Sequence, residues 1–201
     1  VGRACMMTSH TKLLLACIIL DSAAFAGLRI WLFSYGIMHF QLTVEKCSLY
    51  ILACFFVNGL CTGLGTRCLR ATTAANIFAG AQMVSTAIYA FGPGKPIIPW
   101  LTVPGYGLGG LALTCIESLY LGQVNGRRRG ELAALQSVMV KVGSLVGVMV
   151  TTPLTVAWVT NYMEAGSGDG LSPPTLQLVL EALAAICYYV ARFAFRHQDK
   201  F

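Results

Sequence analysis

Charge is what this sequence has least of. Asp, Glu, Lys and Arg make up 11% of its 201 residues, against roughly 25% in a water-soluble domain. A chain so poor in charge cannot present a fully solvated exterior. Other signatures are missing as well. No cysteines stand at the C-x-x-C spacing of a metal ligand pair, and there is no His-Glu-x-x-His helix and no nucleophile elbow. These absences argue against an enzyme and call for no cofactor or metal. The three histidines, His10, His39 and His197, stand near the ends of apolar stretches, where interfacial histidines sit. No segment shows the strict alternation of a barrel strand. No low-complexity tract or composition break divides the chain, so residues 1–201 read as one domain.

Eight cysteines would make a disulfide framework in a small secreted domain. Here Cys17, Cys54, Cys61, Cys115 and Cys187 lie inside apolar runs, where reduced thiols behave as small hydrophobes. Residues 1–11 do not have the pattern of a signal peptide. The apolar run begins only at Leu13 and continues past Asp21 without a cleavage site.

What is present is hydrophobic length. Apolar residues make up 56% of the chain, and mean hydropathy is +0.69. A bilayer-spanning helix needs about 20 apolar residues. Six stretches meet that length: 12–33, 47–65, 71–91, 97–121, 132–159 and 175–195. The expected fold is therefore an all-α integral membrane protein with six transmembrane helices. Connections are short except for 161–174, which is rich in Gly, Ser and Pro and reads as a solvated loop.

Fourteen Lys and Arg stand against eight Asp and Glu. The basic residues are spread over short loops, which favours a topology signal over a nucleic-acid footprint. Arg3, Lys12, Arg67, Arg70, Arg127, Arg128, Arg129, Arg192, Arg196 and Lys200 fall on one side of a six-span layout, and only Lys46 and Lys95 on the other. The positive-inside rule places the first side, with both termini, in the cytoplasm or its organellar equivalent.

Five charges remain inside the spans: Asp21, Arg29, Glu117, Lys141 and Glu181. Each is costly in hydrocarbon unless it faces the bundle interior, water or the interface. At about 1.5 Å per residue, Asp21 lies roughly 13 Å into the first span and Lys141 roughly 14 Å into the fifth. Both enter from the same side, so the two are expected near the midplane and close to one another. They are candidate cavity-lining or substrate-binding residues, with a structural ion pair as the alternative. Glu117 is expected near the cytoplasmic end of the fourth span, within reach of Arg127 or Arg128. Arg29 can snorkel to the outer interface. Glu181 has no evident partner. Glycines crowd the fourth span (Gly105, Gly107, Gly109, Gly110) and recur as Gly143-x-x-x-Gly147 in the fifth, a composition that permits close helix approach.

One stretch carries a family resemblance. Gly126-Arg127-Arg128-Arg129-Gly130 is followed by Ser137, Lys141, Gly143 and Ser144. This resembles the major facilitator superfamily, and within it the glycoside–pentoside–hexuronide:cation symporter group, which includes the melibiose permease. In that group a Gly-x-Arg-x-Glu-Gly loop follows the tenth helix, and a lysine with small residues stands on the eleventh. Gly63-Leu64-Gly65-Thr66-Arg67-Cys68-Leu69-Arg70 is a weaker echo of the loop after the eighth helix. Arg129 occupies the place of the group's loop glutamate. The six-span layout matches the C-terminal half of such a transporter. The resemblance implies alternating-access transport of a small polar or anionic solute, with Asp21 and Lys141 lining the cavity. It implies a cytoplasmic gate or lipid-headgroup role for Glu117, Arg127, Arg128 and Arg129. It also implies partners besides membrane lipids: a second transporter half, a second copy or other membrane subunits. The alternative is a non-transporting structural subunit of a larger membrane complex.

Overall fold

The computed structural model describes residues 9–68, 71–122, 129–166 and 171–198. Six α-helices run through them: α1 (Ser9–Met38), α2 (Val44–Cys68), α3 (Ala71–Phe91), α4 (Ile98–Gly122), α5 (Arg129–Ala165) and α6 (Pro173–Gln198). Local chemistry sets several ends. Thr43 caps α2, its Oγ1 accepting from the Lys46 N–H at 3.4 Å, and Glu45 follows in the first turn. Ser172 precedes α6, and Pro173 fills the first helical position, where a missing N–H costs nothing. At the far end of α5, Gly166 takes φ 67° and donates its N–H to Tyr162 O at 3.0 Å. The loop expected from residue 161 therefore begins about one turn late, because α5 keeps its hydrogen bonding through Ala165.

Four helical stretches are long and apolar enough to cross a membrane: Ser9–Met38, Val44–Gly63, Arg129–Ala165 and Pro173–Phe193. Their outer faces are apolar. Leu52, Phe56, Leu145, Met149, Val156, Ile186 and Val190 are all exposed, an apolar surface of the kind that meets lipid or another protein. α3 and α4 have comparable lengths of 21 and 25 residues but are diluted by Gln82, Ser85, Thr86, Thr102 and a run of glycines. Those polar side chains are buried, so the dilution is directed inward.

The packing has an internal symmetry. α1 packs mainly on α5 and α6, α4 packs mainly on α2 and α3, and α3 meets α6. Exchanging the first three helices for the last three leaves this neighbour pattern unchanged. The directions agree too. Ile19, Ala23 and Gly27 of α1 meet Gly143, Gly147 and Thr151 of α5 in the same order, so the two are parallel. Tyr50 and Asn58 of α2 bond to Thr102 and Tyr106 of α4, again parallel. α3 runs antiparallel to α4, with Ser85 beside Gly105 and Gln82 beside Gly109. α6 likewise runs antiparallel to α1, with Cys187 near Cys17 and Glu181 near Asp21. Two interleaved three-helix units of opposite direction result, the arrangement of an inverted repeat.

Close approach depends on small residues. A Cβ on Gly143 would stand 2.5 Å from Ile19 O, and one on Gly147 would stand 2.8 Å from the Ala23 Cα. The glycines let the two backbones touch. Two apolar clusters fill the bundle. One is aliphatic and sulfur-rich, with Leu14, Cys17, Ile18, Leu111, Cys115 and Ile116. The other is aromatic, with Trp31, Tyr35, Phe40, Tyr50, Tyr89 and Trp158. A polar layer lies between them.

A polar layer and two cavities inside the bundle

The layer is built on α3 and α6 by two four-residue spacings. Gln82 and Thr86 share one face of α3, and Gln177 and Glu181 share one face of α6. Facing each other, they converge on one carboxylate oxygen. Glu181 Oε1 accepts from Gln82 Nε2 at 2.9 Å, Gln177 Nε2 at 2.6 Å and Thr86 Oγ1 at 3.1 Å. Glu181 is 4% exposed, Gln177 2% and Thr86 0%. The other carboxylate oxygen, Oε2, is buried with no hydrogen-bond partner among the described residues, and so is Gln177 Oε1.

Two cavities adjoin this layer. The larger, about 220 Å³, has a mostly apolar lining that includes Phe25, Leu28 and Leu113, to which Asp21 of α1, Asn58 and Thr62 of α2, Gln82 of α3, and Tyr106 and Thr114 of α4 add polar side chains. At about 30 Å³ per water it has room for about seven. The smaller, about 20 Å³, is bordered by Asp21, Gln82, Glu181, Cys17 and Tyr188 among others. Asp21 and Gln82 line both cavities, so the half-buried Asp21 carboxylate stands at their junction. Among the described residues, no Lys, Arg or His lines either one. Glycines make the larger cavity possible. A Cβ on Gly109 would collide with the Gln82 amide, and one on Gly110 with the Asn58 amide.

The aromatic cluster is closely packed. Ring centroids of Phe40 and Tyr89 lie 4.7 Å apart, those of Tyr35 and Trp158 4.8 Å, and those of Trp31 and Tyr89 5.3 Å. His39 Nε2 donates to Gly92 O at 3.4 Å, joining the α1–α2 and α3–α4 connections. Tyr162 Oη donates to Met38 O at 2.8 Å.

Asp21 thus lies on a cavity, but Lys141 does not join it. Lys141 is exposed and lines neither cavity. Gly143 faces α1, and Lys141, two residues earlier, points about 200° away around the helix. With Gly143 beside Ile19, Lys141 is level with Cys17 and Asp21 with Leu145, an offset of about 6 Å at 1.5 Å per residue. The depths were therefore within about one turn of each other, and the direction around the helix separates the two. Glu117 is half-buried beside Gln136 of α5. Arg129 is exposed in the first turn of α5, while Arg127 and Arg128 lie outside the described residues. Arg29 reaches over two rings, Phe25 at 4.8 Å and Phe55 at 5.7 Å, bridging α1 and α2 by cation–π contacts.

Sequence reasoning left Glu181 without a partner and passed over Gln82, Thr86 and Gln177. The available signal was the pair of i, i+4 polar spacings, Gln82-x-x-x-Thr86 and Gln177-x-x-x-Glu181, in two otherwise apolar stretches. Among the described residues no three His, Cys, Asp or Glu side chains cluster as a metal site. Six cysteines among them, Cys17, Cys47, Cys54, Cys61, Cys115 and Cys187, are free thiols. No protein-family model matches the chain, and no curated protein or solved structure matches it.

Proposed function

We propose that the chain is a membrane carrier, or one half of one, that moves a small polar solute by alternating access. The single observation that supports this most is the 220 Å³ cavity into whose mostly apolar lining four helices bring polar side chains, inside a bundle with an apolar exterior. In hydrocarbon, polar side chains bordering such a cavity are costly unless they meet water or a solute. The inverted three-helix symmetry favours the same reading, since carriers commonly bind their cargo at the interface of such repeats. In this reading all six helices span the bilayer and both termini are cytoplasmic. The resemblance to the C-terminal half of a major facilitator superfamily transporter supplies the same architecture, and Arg129 faces lipid headgroups beside the cytoplasmic loop.

The cavity chemistry narrows the cargo. Among the described residues of its wall, Asp21 is the one carboxylate and has no cation beside it. An anionic solute would be repelled, so the cargo is uncharged and polyhydroxylated, or cationic. Lys141 is not its ligand.

Site-directed accessibility tests the carrier reading. Thr62→Cys and Leu113→Cys, each in a cysteine-free background, are exposed to a membrane-impermeant thiol reagent from one side of a proteoliposome at a time. A carrier admits the reagent from either side in separate labelling experiments and slows the reaction when cargo is present. Uptake of a panel of labelled polyols, sugars and small amines should fall with Asp21→Asn. Cysteines reached from neither side would sink the carrier reading.

A structural role in a larger membrane complex is the second reading, and Lys141 favours it. The lysine shares an exposed face with Val138, Val142 and Leu145, where an acidic group from another subunit would relieve its cost. Crosslinking from residue 141 in native membranes to a partner chain, with no labelling of the cavity cysteines, would favour this reading over transport.

A further inference from the structure

We propose that the larger cavity takes an elongated zwitterion, in outline a short ω-amino acid, with its ammonium at Asp21 and its carboxylate at Arg29. This rests on the carrier reading and narrows the cargo. The argument begins with an arginine that has no anion. Arg29 is exposed on α1, and among the described residues it makes no hydrogen bond or ion pair. Inside a span an unpaired guanidinium is costly. Snorkelling would relieve that cost by sending the side chain along α1 toward Met38 and the outer end. The side chain goes the other way. Its guanidinium folds back one turn, 4.8 Å from the centre of the Phe25 ring and 5.7 Å from that of Phe55 on α2. The two rings meet edge to face at 6.4 Å and hold the cation by its attraction to their faces. The inward fold takes the charge away from lipid headgroups and toward the cavity.

The platform belongs to that cavity. Phe25 lines it, and so does Asp21 one turn earlier. Asp21, Phe25 and Arg29 are spaced by four residues each, so they share one side of α1. A carboxyl group, a ring and a guanidinium therefore follow one another along about 12 Å of helix. Leu28 and Leu113 extend the apolar wall beside the ring.

This sequence of surfaces selects among cargoes. A polyol carries a hydroxyl on nearly every carbon, and each would need a partner where the lining is mostly apolar. A plain amine meets Asp21 and leaves Arg29 unpaired. A plain carboxylate does the reverse. A methylene chain with an ammonium at one end and a carboxylate at the other meets all three surfaces. The guanidinium's fork of N–H groups matches a carboxylate. The ligand's net charge is zero, so it brings no uncompensated charge into the bundle. Because the guanidinium reaches back toward Asp21, the two ligand charges stand less than about 12 Å apart, which suits 6-aminohexanoate and not glycine.

The test uses the full chain in lipid nanodiscs, with empty nanodiscs subtracted. Equilibrium binding is measured for radioactive 6-aminohexanoate and for 6-amino-1-hexanol, which keeps the ammonium alone. Glycine and 6-hydroxyhexanoate, which keeps the carboxylate alone, serve as competitors. Saturable binding of one 6-aminohexanoate per chain is expected, at least tenfold tighter than any of the other three. Arg29→Gln should reduce its affinity to that of 6-amino-1-hexanol and leave 6-amino-1-hexanol itself unchanged. Arg29→Lys should restore part of the loss. Asp21→Asn should weaken both amines at least tenfold, and Lys141→Ala should weaken neither. The wild-type comparison of the two amines decides the matter if Arg29→Gln fails to fold. Equal affinity for the two amines, or no binding of 6-aminohexanoate, would overturn the proposal. So would an Arg29→Gln variant that loses thermal stability but keeps its affinity for 6-aminohexanoate, which would assign the arginine to an acidic group of a neighbouring protein. Cavity cysteines that still label from either side in those cases leave the carrier reading standing. Cysteines reached from neither side, with 6-aminohexanoate still bound, sink the carrier and keep the binding site.

Discussion

Replacing Gly147 by alanine should destabilise the protein, while the same change at Gly59 should not. Both glycines lie inside helices, so intrinsic propensity favours alanine at each by up to about 1 kcal/mol. Their surroundings differ. A Cβ on Gly59 meets nothing within 4 Å. A Cβ on Gly147 would stand 2.8 Å from both the Cα and carbonyl carbon of Ala23, where carbon atoms prefer about 3.5–4.0 Å. The obstacle is backbone, so no rotamer change relieves it and α1 and α5 must part by about 1 Å. Overpacking of this kind costs about 1–3 kcal/mol, enough to outweigh the propensity gain. The net expectation is a loss of up to about 2 kcal/mol for Gly147→Ala and a gain of up to about 1 kcal/mol for Gly59→Ala. Reversible unfolding in mixed micelles, followed by tryptophan fluorescence, reads both; Trp158 lies on α5 and Trp31 on α1. Equal shifts of the same sign would refute the reasoning, because they would mean that the α1–α5 contact is not made through Gly147.

Three further outcomes follow. Gln82→Leu removes a donor to Glu181 at 2.9 Å and should cost about 1.5–3 kcal/mol, measured in the same assay; a neutral result would mean that the carboxylate is not held there. Gly109→Ala drives a methyl group into the Gln82 amide and should cost about 1–3 kcal/mol in the same assay; unchanged stability would show that α3 and α4 do not meet through that glycine. Cys17, Cys47, Cys54 and Cys115 are buried while Cys61 and Cys187 are half-buried, so brief maleimide labelling of the folded protein should favour Cys61 and Cys187, and peptide mapping checks the order.

Helix placement was readable in advance to an uneven degree. Each of the six expected stretches lies within or against one of the six helices, because about 20 consecutive apolar residues have few other stable outcomes. Ends were less legible. α5 continues to Ala165, past the Gly-poor start of the expected loop, because nothing before Gly166 breaks its hydrogen bonding. The sequence points Arg29 toward the interface, and its two aromatic neighbours emerge only when α1 and α2 are set side by side.

The site divides along the same line. Composition and periodic rise alone determined an apolar exterior, the helical stretches and the approximate depth of Asp21 and Lys141, since depth is a count of residues along one axis. Direction around the axis is different. A water-soluble helix announces its buried face with an apolar stripe, but here both faces are apolar, and the pattern does not say which one meets a neighbour. Only the packed bundle decided that Gly143 and Gly147 turn toward α1, that Lys141 consequently turns away, and that Asp21 shares its surroundings with Gln82 and Glu181.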